Sequence, residues 1–277
     1  RLRDDRAIML NVAALQMVSA PDVATNLATA CRLIAEAADQ GARLLALPEY
    51  FCLMGQSDRD KLAIAEAEDS GPIQDTLAAA AQRHGVWIIG GTLPLRTEDP
   101  QRVRNSCRVW GPDGRPRARY DKIHLFAYDN GRGERYDEGR VLQAGDAPVA
   151  VEVDGWRVGL GICYDLRFPE LFRALMQPAP CDLLVLPAAF THGTGRAHWE
   201  LLLRARAVEN QCYVLAPAQG GLHPNGRRTW GHSLLADPWG EVLAVQAEGE
   251  GVVAGTLRRQ RLDEVRAQLP ALAHRRI

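Results

Sequence analysis

The chain of 277 residues contains no apolar run long enough to cross a bilayer, and its opening, RLRDDRAIML, is charged where a signal peptide is apolar. A cytoplasmic protein is therefore expected. Charge of one sign is also missing: 33 Lys and Arg stand against 34 Asp and Glu, a net charge of -1. No long-range field draws the chain to nucleic acid or to an anionic membrane, so small molecules or other protein chains are the expected partners. The six cysteines (31, 52, 107, 163, 181 and 212) form no CxxC pair. A chain of this size needs no disulfide scaffold, and free thiols are expected. The seven histidines form no HxH or HExxH arrangement, so no metal site is expected. No low-complexity or Pro/Ser-rich tether divides the chain. Residues 9–277 read as one domain, with residues 1–8, ahead of Met9, as a leader or remnant without a role.

What is present is a long series of short apolar runs, among them NVAALQM, RLLALPE, VWIIGGTL, SCRVWG, DLLVLPAAF, CYVLAPA and GVVAGTL, with helix-like stretches between them. Helices are expected over about 21–40, opened by Pro21-Asp22 and closed by Gly41, over about 58–84 with a break at Gly71-Pro72, and over about 197–210. The turns GPDGRP, EVDGW and DPWGE join neighbouring strands as hairpins, so the α/β fold should carry mixed sheets. RLLALPEYF (43–51) and CDLLVLPAAF (181–190) echo one another, as two related halves or as a coincidence of Leu-rich strands.

Three segments carry most of the chemistry. In LALPEYF, Pro48 ends a strand and Glu49 follows it, a place where α/β sheets put functional groups. Partial burial would make Glu49 a general base, and solvation would make it an ordinary strand-end acid. In YDKIHLF, Lys122 and His124 share one side of a strand-like run, with an exposed lysine as the plain alternative. In GLGICYDLRFPEL, Gly159 and Gly161 permit close backbone approach and Cys163 follows at the strand end. There it is core filling, or a nucleophile if a base can take its proton.

Taken together and in this order, LPEYF, YDKIHLF and GICYDLRFPEL resemble the Glu, Lys and Cys signatures of the nitrilase superfamily of carbon-nitrogen hydrolases. The likeness continues through PAAFTHGTGRAHWELLLRARAVENQCYVLAPAQGG and GHSLLADPWGEVLA, covering about 10–257. It implies a four-layer α-β-β-α sandwich with two mixed sheets, pairing with a second copy into an α-β-β-α-α-β-β-α dimer or a higher homo-oligomer. It also implies a cysteine-dependent amidase without a cofactor. Cys163 would attack the amide carbonyl and Glu49 would carry the proton. Lys122 and the Tyr164 backbone N–H would hold the oxyanion. Glu138, in preference to Glu134, would position Lys122 or the amide, unless it is an ordinary loop acid.

Within the superfamily the later segments resemble those of deaminated glutathione amidases first and omega-amidases second. The implied substrate is a carboxylate-bearing linear amide. Arg167, four residues after Cys163, is expected to bind that carboxylate, with a salt bridge to Glu170 or Asp165 as its alternative role. Tyr50, Phe190, Thr191 and Thr194 complete the expected substrate-binding set. Two features depart from the pattern where substrate should be read: Arg196 stands where related sequences have Pro, and the loop AYDNGRGERYDEG is Gly-rich. Trp199, Trp230 and Trp239 are expected in a core or a subunit interface, and Arg227-Arg228 on a solvated loop. A non-catalytic assembly protein is the reading from another class, opposed by the intact Glu49, Lys122 and Cys163.

Overall fold

The computed structural model describes residues 8–276. The expectation for residues 1–8 therefore lies outside the described residues except at Ile8, whose carbonyl accepts from the Arg259 N–H at 2.9 Å. In chain order the elements are β1 (Met9–Gln16), α1 (Val23–Asp39), β2 (Leu44–Ala46), α2 (Asp60–Ala63), α3 (Pro72–His84), β3 (Trp87–Ile89), β4 (Leu93–Arg96), β5 (Val103–Trp110) and β6 (Pro116–Asp121). There follow β7 (Ala127–Asp129), β8 (Arg135–Asp137), β9 (Ala150–Val153), β10 (Trp156–Leu160), α4 (Pro169–Ala174), β11 (Leu183–Val185), α5 (His192–Asn210), β12 (Tyr213–Ala216) and β13 (Gly220–Leu222). The chain closes with β14 (Arg228–Trp230), β15 (Ser233–Ala236), β16 (Val242–Gln246), β17 (Gly251–Arg258) and α6 (Arg259–Gln268).

Most of these strands form two mixed sheets, as the hairpin turns require, while β7-β8 and β13-β14 are separate antiparallel hairpins. One sheet runs β17-β1-β2-β3-β5-β4 with β6 on β5, and the other β16-β15-β12-β11-β10-β9. In each, parallel central strands are flanked by antiparallel ones. The period-2 alternation of a strand explains the layering. In β1, Val12 and Ala14 join the core between the sheets, where they meet Leu160, Val185 and Leu215 of the other sheet. Ala13 and Leu15 instead pack with Leu33 and Ile34 of α1 and Leu77 of α3. On the far side, Phe172 of α4 and Trp199 and Leu203 of α5 cover the second sheet. The result is an α-β-β-α sandwich, and the echoed segments supply a central strand to each sheet, β2 and β11.

One expected helix is largely absent. Over 58–84 only α2 and α3 form, and 64–71 runs alongside β4. Glu66 donates its N–H to Pro94 O, and its carboxylate accepts the N–H groups of Ile73 and Gln74 at 2.6 and 3.1 Å. The acid thus satisfies the open start of α3 and balances its dipole, which outweighs the helix preference of AIAEAE. By contrast α1 is as expected, with Asp22 accepting from Thr25 N at 2.8 Å as its N-cap. Helix α5 begins five residues earlier than expected, at His192. All six cysteines are free thiols, and no helix among the described residues is long and apolar enough to cross a membrane.

Candidate active site

Glu49 is placed by the end of β2. Pro48 carries no N–H for the ladder, so the chain leaves the sheet there and turns the next side chain between the two sheets. The departure is crowded: a Cβ on Gly91, whose φ is +53°, would lie 2.1 Å from Pro48 O. Only glycine fits. Glu49 is buried, and every oxygen is engaged. Its Oε1 accepts from Lys122 Nζ and Asn105 Nδ2, both at 2.9 Å, and its Oε2 accepts from Ala189 N at 3.1 Å. Gln219 Nε2 donates to its backbone carbonyl at 3.1 Å. The two echoed segments therefore meet here, β2 supplying the carboxylate and the chain after β11 the amide that holds it.

Lys122 follows β6 and is 1 % exposed. Its ammonium donates to Glu49 and to both oxygens of Glu138, at 3.0 and 2.8 Å. Burial alone would lower its pKa, but the charges of Glu138 and Glu49 outweigh burial and hold it above its ordinary value. Glu138 opens a 3-10 turn after β8 and also accepts from Tyr50 OH and Phe126 N, each at 2.7 Å. Burial would raise its pKa, yet the Lys122 charge and the hydrogen bonds from Lys122 and Phe126 N bring it below the usual carboxylate value. Glu134, the less favoured choice, stands on the hairpin with its carboxylate on Asn130.

Cys163 follows β10 at the first residue of a 3-10 turn, Cys163–Arg167, with φ 47°. A side chain in that left-handed conformation is strained, and such turns between a strand and a helix present a side chain outward. Its N–H is tied to Pro187 O at 2.9 Å. Burial pushes the thiol pKa well up and the Glu49 carboxylate adds to the rise, while Lys122 opposes it. The resting group is thus a neutral thiol beside a carboxylate, not a preformed thiolate. The next N–H, on Tyr164, donates to no acceptor among the described residues, as expected of the first amides of a helical turn.

Cys163, Tyr164, Arg167, Phe190, Thr191 and Thr194 line one cleft with Glu49 and Glu138, so most of the expected set is brought together. Arg167 takes neither expected salt bridge. Asp165 is fully engaged with Ile162 N, Tyr120 OH and His124, and Arg167 instead lies over the Phe190 ring, 3.2 Å from His198 Nδ1. It forms no ion pair among the described residues.

Four expectations are corrected. Tyr50 lines a neighbouring cavity and not this cleft, with a φ of 58° and its hydroxyl on Glu138. His124 does not share a face with Lys122: the strand ends at Asp121, and His124 pairs with Asp165 at 2.7 Å and stacks on Phe168. Arg196 is exposed on α5, outside the cleft. Arg227 is half-buried and borders the cleft, while Arg228 pairs with Glu248 on the surface. Sequence reasoning missed Asn105, Gln219 and Asp165, which hold Glu49 and the Cys163 turn through contacts far apart in the chain. Of the tryptophans, Trp199 is buried, Trp230 is half-buried and Trp239 is exposed.

A nucleophilic thiol, an adjacent carboxylate base and a buried cation with a free amide can carry out acyl transfer at a carbonyl. Known proteins agree. The chain is 42% identical over 95% of its length to a deaminated glutathione amidase of Synechocystis, covering 97% of that protein. It is 40% identical over 91% of its length to a human omega-amidase, covering 89% of it. It superposes on a CN-hydrolase superfamily protein of Xanthomonas campestris, solved with an arsenic adduct in its active site, with a TM-score of 0.85 at 32% identity, covering 97% of this chain and 98% of that one. The carbon-nitrogen hydrolase family model matches residues 11–267, and the chain belongs to that family, within the nitrilase superfamily.

Proposed function

We propose that the protein hydrolyses a carboxylate-bearing linear amide through a thioester on Cys163, and that the amide is deaminated glutathione. The observation that carries this reading is the buried Glu49–Lys122–Glu138 cluster beside Cys163, with Arg167 in the same cleft and without a carboxylate partner. In the reaction, Sγ attacks the carbonyl carbon as Glu49 accepts the thiol proton. Lys122 Nζ and the Tyr164 N–H stabilise the oxygen as it gains charge. Collapse expels the amine, which takes the proton from Glu49. Water, deprotonated by Glu49, then cleaves the thioester, and the released sulfur regains its proton. Glu138 and Tyr50 keep the ammonium oriented, while Arg167 pairs with the carboxylate of the acyl half.

Omega-amidase action, with ammonia as the leaving group, is the second reading. The human relative carries that activity in its name. Turnover of deaminated glutathione and of 2-oxoglutaramate, followed as dipeptide and as ammonia, separates the two. A higher kcat/KM with dipeptide release is expected, and preferential ammonia release moves the protein to the second reading.

We also propose that two copies pair. The support is apolar surface: Leu201 and Val208 are exposed seven residues apart on α5, and Trp239 beside them is 46 % exposed. Light scattering should give about twice the 30.4 kDa of the chain. A monomer at micromolar concentration would remove the proposal.

A further inference from the structure

Beside the catalytic cleft lies a second cavity of about 270 Å³, lined by Tyr50, Met54, Asn225, Tyr136, Arg135 and Arg227 among others. One side chain, Arg227, borders both. Its guanidinium is poorly satisfied. Nη1 reaches only the Met54 sulfur at 3.7 Å, Nη2 only Ala189 O at 3.4 Å, and the buried Nε has no partner. The Tyr136 ring packs under it with 5.0 Å to the centroid. No ion pair of Arg227 or of Arg135 exists among the described residues, in a chain where most arginines at the surface find an acid. A desolvated guanidinium costs stability unless an acceptor arrives, and its planar fork matches a carboxylate. The cavity wall is also cationic on balance. Its one acid, Asp58, is neutralised by Lys61 at 2.9 Å, which leaves Arg135 and Arg227 unmatched.

The catalytic cleft is the narrower of the two spaces, about 20 Å³ against about 270 Å³. In the reading above, Arg167 takes its acyl side. Tyr50, which donates to Glu138, forms part of the wall of the roomier cavity. We propose that this second cavity receives the amine half of the substrate and that Arg227, at the neck, binds a carboxylate carried by that half. The protein would then select secondary amides whose leaving amine is an amino acid or short peptide with a free carboxylate, over amides whose leaving group is neutral. Arg227 acts as a specificity-determining residue, separate from the acyl-side Arg167. This inference rests on the amidase reading above.

The test compares two substrates that share one acyl group and one dipeptide leaving group, deaminated glutathione and its C-terminal carboxamide. Wild-type protein should prefer the free acid in kcat/KM by about 100-fold, since a buried donor set left without its acceptor rejects the analogue. In Arg227→Gln the ratio should fall to near one, and Arg227→Lys should keep part of it, as a point charge without the fork. The wild-type ratio needs no variant, so misfolding of Arg227→Gln does not mask the outcome. A wild-type ratio near one, or a ratio that survives in Arg227→Gln, overturns the inference and leaves the amidase reading intact. Hydrolysis of neither substrate by wild-type protein overturns both the inference and deaminated glutathione as the substrate.

Discussion

Cys163→Ala should lower kcat by about 10⁴-fold to 10⁶-fold while leaving the fold in place. The size of the loss follows from the absence of a substitute. Burial holds Cys52 and Cys107 as unreactive thiols, with pKa values pushed up to about 12. The retained fold follows from the local structure. The Cys163 N–H still bonds Pro187 O, and Asp165 still pins the turn through Ile162 N and Tyr120 OH. Alanine also relieves the pairing of a desolvated thiol with the Glu49 charge. Thermal denaturation should therefore agree with wild type to within about 1 kcal/mol. Substantial turnover by a well-folded Cys163→Ala protein would sink the covalent route.

Glu49→Gln should cost about 10³-fold in kcat, near the upper part of what one general base supplies, because Glu49 serves both halves of the reaction. The substitution has a second, smaller cost. Three donors converge on the carboxylate, Lys122 Nζ and Asn105 Nδ2 on one oxygen and Ala189 N on the other. An amide turned either way sets its NH₂ against one of these groups, an unsatisfied buried contact worth about 1–3 kcal/mol in urea denaturation. The thiol itself moves in the opposite direction. Removing the Glu49 charge removes one cause of its raised pKa and leaves the pull of Lys122, so the thiol becomes more acidic. A lost rate in this variant thus reports the missing base, not a missing thiolate. Unchanged kcat in a folded Glu49→Gln protein would assign the proton transfer elsewhere.

The parts of the site that could be read from the sequence are those fixed by local chemistry. Glu49, Lys122 and Cys163 each stand just beyond a strand, and Pro48, the end of β6 and the Gly159-Leu160-Gly161 segment mark those ends in short strings. The layered fold was legible for a similar reason, since β1 shows its two faces in its alternation and the hairpin turns announce mixed sheets. What escaped was set by long-range contact. Tyr50 looks like a cleft residue, but it lines the neighbouring cavity with its hydroxyl on Glu138, 88 positions away. His124 matches Lys122 in period until Asp165, 41 positions on, claims its ring. Arg227 reads as a loop cation because its neighbours Met54 and Tyr136 come from other parts of the chain. The helix expected over 64–71 is spent on β4 and on the start of α3, a demand that composition does not show.

The central claim is that an acyl group passes through the Cys163 sulfur. The direct measurement is intact-protein and peptide mass spectrometry on wild-type and Glu49→Gln protein quenched in acid along a time course with deaminated glutathione. The account predicts a mass increment equal to the acyl half of the substrate, located on the peptide that contains Cys163, removed by hydroxylamine and absent from Cys163→Ala. Steady turnover with no adduct in either protein, or an adduct on any other residue, would contradict it.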